Sequence, residues 1–135
     1  MQKIRWMLVL LALGGFGISK LGSVSAFGSY REQAAKQFKL VDSRVGCTYC
    51  HVSASGGAPW NSFGQQVQNA LTGDISKALF DVLSDKKDAD GDGYLDMLEV
   101  FAGTLPGDKN SLPLVTTAAL EAAFTKAGGL DQYKP

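Results

Sequence analysis

The chain has 135 residues, with 13 basic and 13 acidic side chains, two cysteines, one histidine and a mean hydropathy of zero. A balanced charge excludes the basic footprint of a nucleic-acid-binding protein. Two thiols and one imidazole also fall short of the four ligands of a structural zinc site.

Residues 1–26 read as an export leader. Lys3 and Arg5 form a basic start, Trp6 to Ile18 an apolar run, and Val24-Ser25-Ala26 a small-residue exit at which cleavage leaves Phe27 first. The apolar run is shorter than the ~20 residues of a spanning helix, and Lys20 sits just beyond its end, so no membrane span is expected in the mature chain. The competing reading is an uncleaved anchor. A mature chain of residues 27–135 is enough for one domain, located in the periplasm or outside the cell. Without Lys3, Arg5 and Lys20 it carries 10 basic residues against 13 acidic ones, a formal charge of about −3. The acids concentrate between Asp74 and Glu99, whereas Arg31, Lys36, Lys39 and Arg44 make a mildly basic region.

Ser29-Tyr30-Arg31-Glu32 has the form of a capping box, so a helix is predicted to start there. Tyr30, Ala34, Phe38 and Val41 supply its apolar stripe. Next comes Cys47-Thr48-Tyr49-Cys50-His51, which holds every cysteine and the single histidine of the chain. C-x-x-C-H is the spacing at which two thiols attach covalently to a haem while the adjacent imidazole ligates its iron. Cys47 and Cys50 are therefore the expected thioether residues and His51 the proximal ligand. A redox dithiol and half of a zinc site share the C-x-x-C spacing, but no βαβ pattern surrounds it and no second ligand cluster exists.

A second helix is expected from about Pro59, with Phe63, Val67, Ala70 and Leu71 on its apolar face and Gly73 at its end. Asp74 is placed to cap a third, carrying Ile75, Leu79, Phe80, Val82 and Leu83. A last helix is predicted over Thr117–Ala127, stopped by Gly128-Gly129. Trp60, Phe63, Phe80 and Phe101 read as core residues. No alternating β-branched run competes, so the expected class is all-α, with four or five short helices around one flat cofactor.

Asp88-Ala89-Asp90-Gly91-Asp92-Gly93-Tyr94-Leu95-Asp96-Met97-Leu98-Glu99 fits the twelve positions of an EF-hand-type calcium loop. Asp88, Asp90 and Asp92 occupy positions 1, 3 and 5, Gly93 makes the turn, and Tyr94 offers its backbone carbonyl. Asp96 would act through water and Glu99 through both oxygens. Hard oxygen donors in this number select Ca²⁺. A single such loop reads as a structural staple rather than a sensor.

The loop and its continuation, Gly103-Thr104-Leu105-Pro106-Gly107-Asp108, resemble thrombospondin type 3-like calcium repeats. Together with C-x-x-C-H and Asn61-Ser62-Phe63-Gly64, the mature chain is similar to small exported monohaem c-type cytochromes that carry one such repeat. That resemblance, spanning Cys47 to Asp108, implies a cytochrome c-like helical domain that transfers electrons between redox protein partners and is not an enzyme. Class I cytochromes c resemble it in the order of helix, C-x-x-C-H and downstream Met, which makes Met97 the expected distal iron ligand. The alternative for Met97 is packing on the helix that leaves the calcium loop. Two other functions compete: a haem subunit of a larger exported complex, and a five-coordinate haem sensor or peroxidase.

Overall fold

The computed structural model describes residues 26–135. The leader expected over 1–26 lies outside the described residues except for Ala26, which lies in the first helix. Among the described residues five α-helices follow in order: α1 Ala26–Gln37, α2 Ser62–Ala70, α3 Ile75–Ser84, α4 Asp96–Ala102 and α5 Thr117–Lys126. Three 3-10 turns, Asp42–Arg44, Cys47–Tyr49 and Gly129–Tyr133, complete the regular structure. Among the described residues no strand forms, and one antiparallel bridge joins His51 to Trp60. The fold is all-α. No helix among the described residues is long and apolar enough to cross a membrane.

Side-chain caps start three of these helices. Asp74 Oδ1 accepts from the amides of Ser76 and Lys77 at 2.8 and 3.2 Å, Thr116 Oγ1 from Ala119 at 3.4 Å, and Asn61 Oδ1 from Gly64 at 2.7 Å. Each bond satisfies a first-turn amide that has no partner within its own helix. The ends are equally local. Gly103, at φ 75°, closes α4, and Gly128, at φ 107°, comes just after α5, both in the left-handed region that glycine occupies without strain.

Three predicted boundaries move. α1 already covers Ala26 among the described residues, so Ser29 lies inside it rather than at its cap. The same helix ends at Gln37, and Lys39 adopts φ 56°, which breaks the stripe before Val41 and leaves Val41 65% exposed. The second helix starts at Ser62, not near Pro59, because Asn61 and not the proline supplies the cap.

α3 packs against both α1 and α2, and α4 packs against α5. Phe38, Tyr49, Phe63, Leu79, Leu83, Leu98, Val100, Phe124 and Tyr133 meet in one continuous core. Phe63 is fully buried there, while Phe80 and Phe101 pack half-buried against it. Buried Gln37 ties the layers together, its amide donating at 2.9 Å to the carbonyls of Ser76 and Tyr133. These contacts leave one flank of α1, α2 and α3 facing the turn at Cys47–Tyr49 across an open cleft.

Candidate cofactor cleft and cation loop

The turn at Cys47 is tight because the Cys50 and His51 amides both donate to the Cys47 carbonyl, at 3.2 and 2.9 Å. Cys47, Cys50 and His51 consequently line the same cleft. Both thiols are free. Burial pushes the Cys50 thiol up to about 12, whereas Cys47 is exposed at the cleft mouth.

His51 is held from two sides. Its ring stacks on Trp60 with centroids 4.2 Å apart and planes 28° from parallel. Its Nδ1 lies 2.6 Å from the Gly57 carbonyl oxygen. A carbonyl can only accept, so Nδ1 carries a proton, and the neutral tautomer compatible with this bond has its lone pair on Nε2. That is the tautomer and the second-atom restraint found on metal-ligating imidazoles. Trp60, expected as plain core, is thus half-buried beside His51 and lines the cleft.

The remaining wall is aliphatic: Ala34 from α1, Val67 and Leu71 from α2 and its end, and Ile75 and Leu79 from α3. Tyr30, Arg31, Ser55 and Gln68 are its exposed polar members. An open apolar cleft with two thiols and a tautomerically fixed imidazole on one side fits a flat, largely hydrocarbon cofactor attached at that side.

Two residues hold α2 against the turn. Asn61 Nδ2 donates to the carbonyls of Thr48 and Tyr49 at 2.9 and 3.2 Å, while its Oδ1 caps α2. Gly64 admits no side chain: a Cβ there would stand 1.9 Å from the Cys50 carbonyl oxygen. Asn61 is legible in the sequence as a cap-type residue ahead of a helix. Its bonds to the turn, twelve and thirteen residues earlier, carry no sequence signal.

Met97 is not brought to this cleft. It sits in the first turn of α4, packs half-buried against the core and lines a separate depression with Lys86, Glu121, Phe124, Thr125 and Leu130. Met97 thus packs on the helix after the loop, apart from the residues that line the cleft. Adjacency to Asp96 and Glu99 decides this, because the α4 turn that buries those two carboxylates turns Met97 toward α5.

In the acidic loop, ligand oxygens of Asp88, Asp90 and Asp92 lie within 4.8 Å of one another. Loop amides wrap Asp88, whose carboxylate accepts from Gly91 at 2.7 Å, Gly93 at 2.9 Å and Asp92 at 3.3 Å. Tyr94 donates its amide to Asp92 at 2.8 Å, and its hydroxyl donates to the Val115 carbonyl. Asp96 has a different part. Fully buried, it accepts from the Ala89 amide at 2.7 Å and from Gln66 of α2 at 3.2 Å, closing the loop and tying it to the helix behind the cleft.

Glu99 is fully buried, and neither of its carboxylate oxygens has a partner. One oxygen each of Asp90 and Asp92 is also buried and unpartnered. Burial first, then repulsion from Asp90, Asp92, Asp96 and Asp88, pushes Glu99 up to about 9. Asp90 is likewise raised, by burial and then by Asp92. Four orphaned carboxylate oxygens beside three clustered aspartates form an all-oxygen donor set of the kind a hard divalent cation satisfies.

No known family, curated protein or solved structure matches the chain. The geometry of the site defines its chemical capacity: one cleft suited to a thiol-attached, imidazole-ligated ring, and one loop suited to a cation, joined by α2.

Proposed function

We propose that the protein is an exported c-type cytochrome that carries single electrons on one covalently attached haem and is stapled by one calcium ion. The observation that carries this reading is His51. Its Nδ1–H is committed to Gly57, so Nε2 is the free donor, and the flanking Cys47 and Cys50 sulfurs line the same cleft. A bound haem supplies one-electron chemistry at its iron.

The chain's own groups set the conditions for that chemistry. Cys47 and Cys50 would hold the ring by thioethers, and the bond to Gly57 would make His51 a stronger, orientationally fixed ligand. The aliphatic wall would exclude water from one face, while the open mouth beside Cys47 would leave an edge near solvent for redox partners. Asp88, Asp90, Asp92 and Glu99 would hold Ca²⁺, joined by the Tyr94 carbonyl, and Asp96 would orient the loop. Export supports the reading from the sequence side, since an exported weak site of ~10⁻⁴ to 10⁻³ M stays filled outside the cell.

The test is expression with the leader in a host competent for cytochrome maturation, then a pyridine haemochrome spectrum of denatured protein. One thioether-linked haem per chain is expected, lost in Cys47→Ala, Cys50→Ala and His51→Ala. Colourless wild-type protein from such a host would end the proposal.

A further inference from the structure

We infer that Gln66 is the positioning residue through which a cation held in the 88–99 loop orders the thiol-bearing turn of the cleft, an inference that deepens the calcium part of the proposed function and rests on it. Both sites lean on one short helix. Gln66 of α2 donates from its side-chain amide to Asp96 at 3.2 Å, while Gly64, Val67 and Gln68 of the same helix line the cleft. A helix moves as a unit, so a displacement of Asp96 is felt two residues from Gln66, at Gly64.

On the cleft side, α2 and the turn meet without slack. A Cβ at Gly64 would stand 1.9 Å from the Cys50 carbonyl oxygen, and that oxygen accepts from the Asn61 amide at 3.0 Å. Asn61 also holds the Thr48 and Tyr49 carbonyls. Tyr49 packs between the two sites: its ring meets Phe63 of α2 edge-on at 5.8 Å, and its buried hydroxyl lies in the field of Cys50, Tyr133, Glu99 and Asp96. A shift of α2 therefore reaches Cys50, and His51 next to it, through close-packed groups alone.

On the loop side, Asp96 and Glu99 share the first turn of α4 and are both fully buried. The Asp96 amide donates to the Lys87 carbonyl at 2.8 Å and its carboxylate accepts from the Ala89 amide, so Asp96 fixes where α4 starts relative to the loop. Both oxygens of Glu99, with one each of Asp90 and Asp92, are buried and have no donor. Like charges desolvated together favour any opening of that turn that admits water, and such an opening carries Asp96 away from Gln66. A divalent cation satisfies those oxygens and selects the closed arrangement, in which Asp96 holds α2 against the turn.

The test is amide hydrogen exchange, read by mass spectrometry in calcium and in chelator, on wild type and Gln66→Leu purified from a host competent for cytochrome maturation. Calcium should slow exchange within 88–99 of wild type and, by about tenfold, at Cys50, His51 and α2. In Gln66→Leu the loop should still respond, while the ratio of rates at Cys50 and His51 falls close to one. A merely structural Gln66 would lower protection equally in both conditions and leave that ratio unchanged, which overturns the inference. A wild type whose loop responds to calcium while its turn does not overturns it as well, with no variant needed. A wild-type loop indifferent to calcium instead overturns the calcium reading and this inference with it. A pyridine haemochrome of the same sample scores haem attachment separately, and the exchange ratio decides the coupling with haem present or absent.

Discussion

The side-chain amide of Asn61 lies against the backbone of Gly107, so closely that a Cβ at 107 would stand 2.6 Å from its Cγ and Oδ1. The same amide donates to Thr48 and Tyr49, so one side chain joins the segment after the acidic loop to the turn bearing the thiols. Gly107 does not adopt a positive φ, and its need for glycine is purely steric. Gly107→Ala should therefore cost about 1–3 kcal/mol by overpacking, read as a lower midpoint of thermal unfolding. An unchanged midpoint would mean that the contact relaxes freely.

Asn61→Ala removes a cap and two carbonyl partners at once. A loss of about 2–4 kcal/mol is expected in urea unfolding, together with a lower yield of haem-loaded protein. Asn61→Asp keeps the acceptor for Gly64 but loses the donors to Thr48 and Tyr49. It should fall between wild type and alanine, and equality with alanine would show that the two carbonyl bonds carry the whole effect.

Glu99→Gln separates burial from cation binding. A neutral amide needs no proton uptake to be buried beside Asp90 and Asp92, so above about pH 5 the metal-free variant should match or exceed metal-free wild type in thermal stability. Calcium should raise the midpoint of wild type and leave that of the variant almost unmoved, because the bidentate ligand is gone. Equal calcium responses in the two proteins would remove Glu99 from the ligand set.

The pH dependence of metal-free protein has a definite sign. Burial raises Asp96 from 3.8 to about 7 and, with the neighbouring aspartates, Glu99 from 4.5 to about 9. Both folded values lie above the unfolded ones, so the folded state holds protons that the unfolded chain has released. The associated stability is complete below about pH 4 and is lost as pH rises through about 7 and then about 9. Melts of metal-free protein between about pH 5 and about pH 9 should show a falling midpoint, and saturating calcium should flatten or reverse that fall because it binds the deprotonated carboxylates.

Cytoplasmic protein made without the leader, and therefore without haem, should react unevenly with an alkylating agent. Cys47 is exposed, while burial holds the Cys50 thiol at about 12 and so keeps its thiolate scarce. Mass mapping should find Cys47 modified about tenfold faster or more. Comparable rates would show that the Cys47–Tyr49 turn opens in the haem-free chain.

Contiguous features are legible in the sequence. Asp74 and Thr116 cap their helices through bonds to amides two or three residues away, so composition and spacing are enough to find α3 and α5. The first helix departs from its sequence pattern at both ends, for reasons that short-range patterns do not encode. Ser29 has a capping signature yet lies within α1, and the apolar stripe continues to Val41 although the backbone has already turned at Lys39. Trp60 reads as core in the sequence because an aromatic carries no sign of which neighbour it will meet. Here that neighbour is His51.

By itself the sequence determined the all-α class, the five-residue run holding both thiols and the imidazole, and the order of carboxylates in the 88–99 loop, because covalent connection already puts those groups within reach of one another. Only the tertiary structure decided which groups share a site across long stretches of chain. It set Asn61 between Tyr49 and Gly107, joined Gln66 to Asp96, buried Glu99 without a partner and packed Met97 away from the cleft. Those outcomes depend on how α2 and α4 are oriented in a close-packed core, and helix orientation is fixed by the packing of all the faces together.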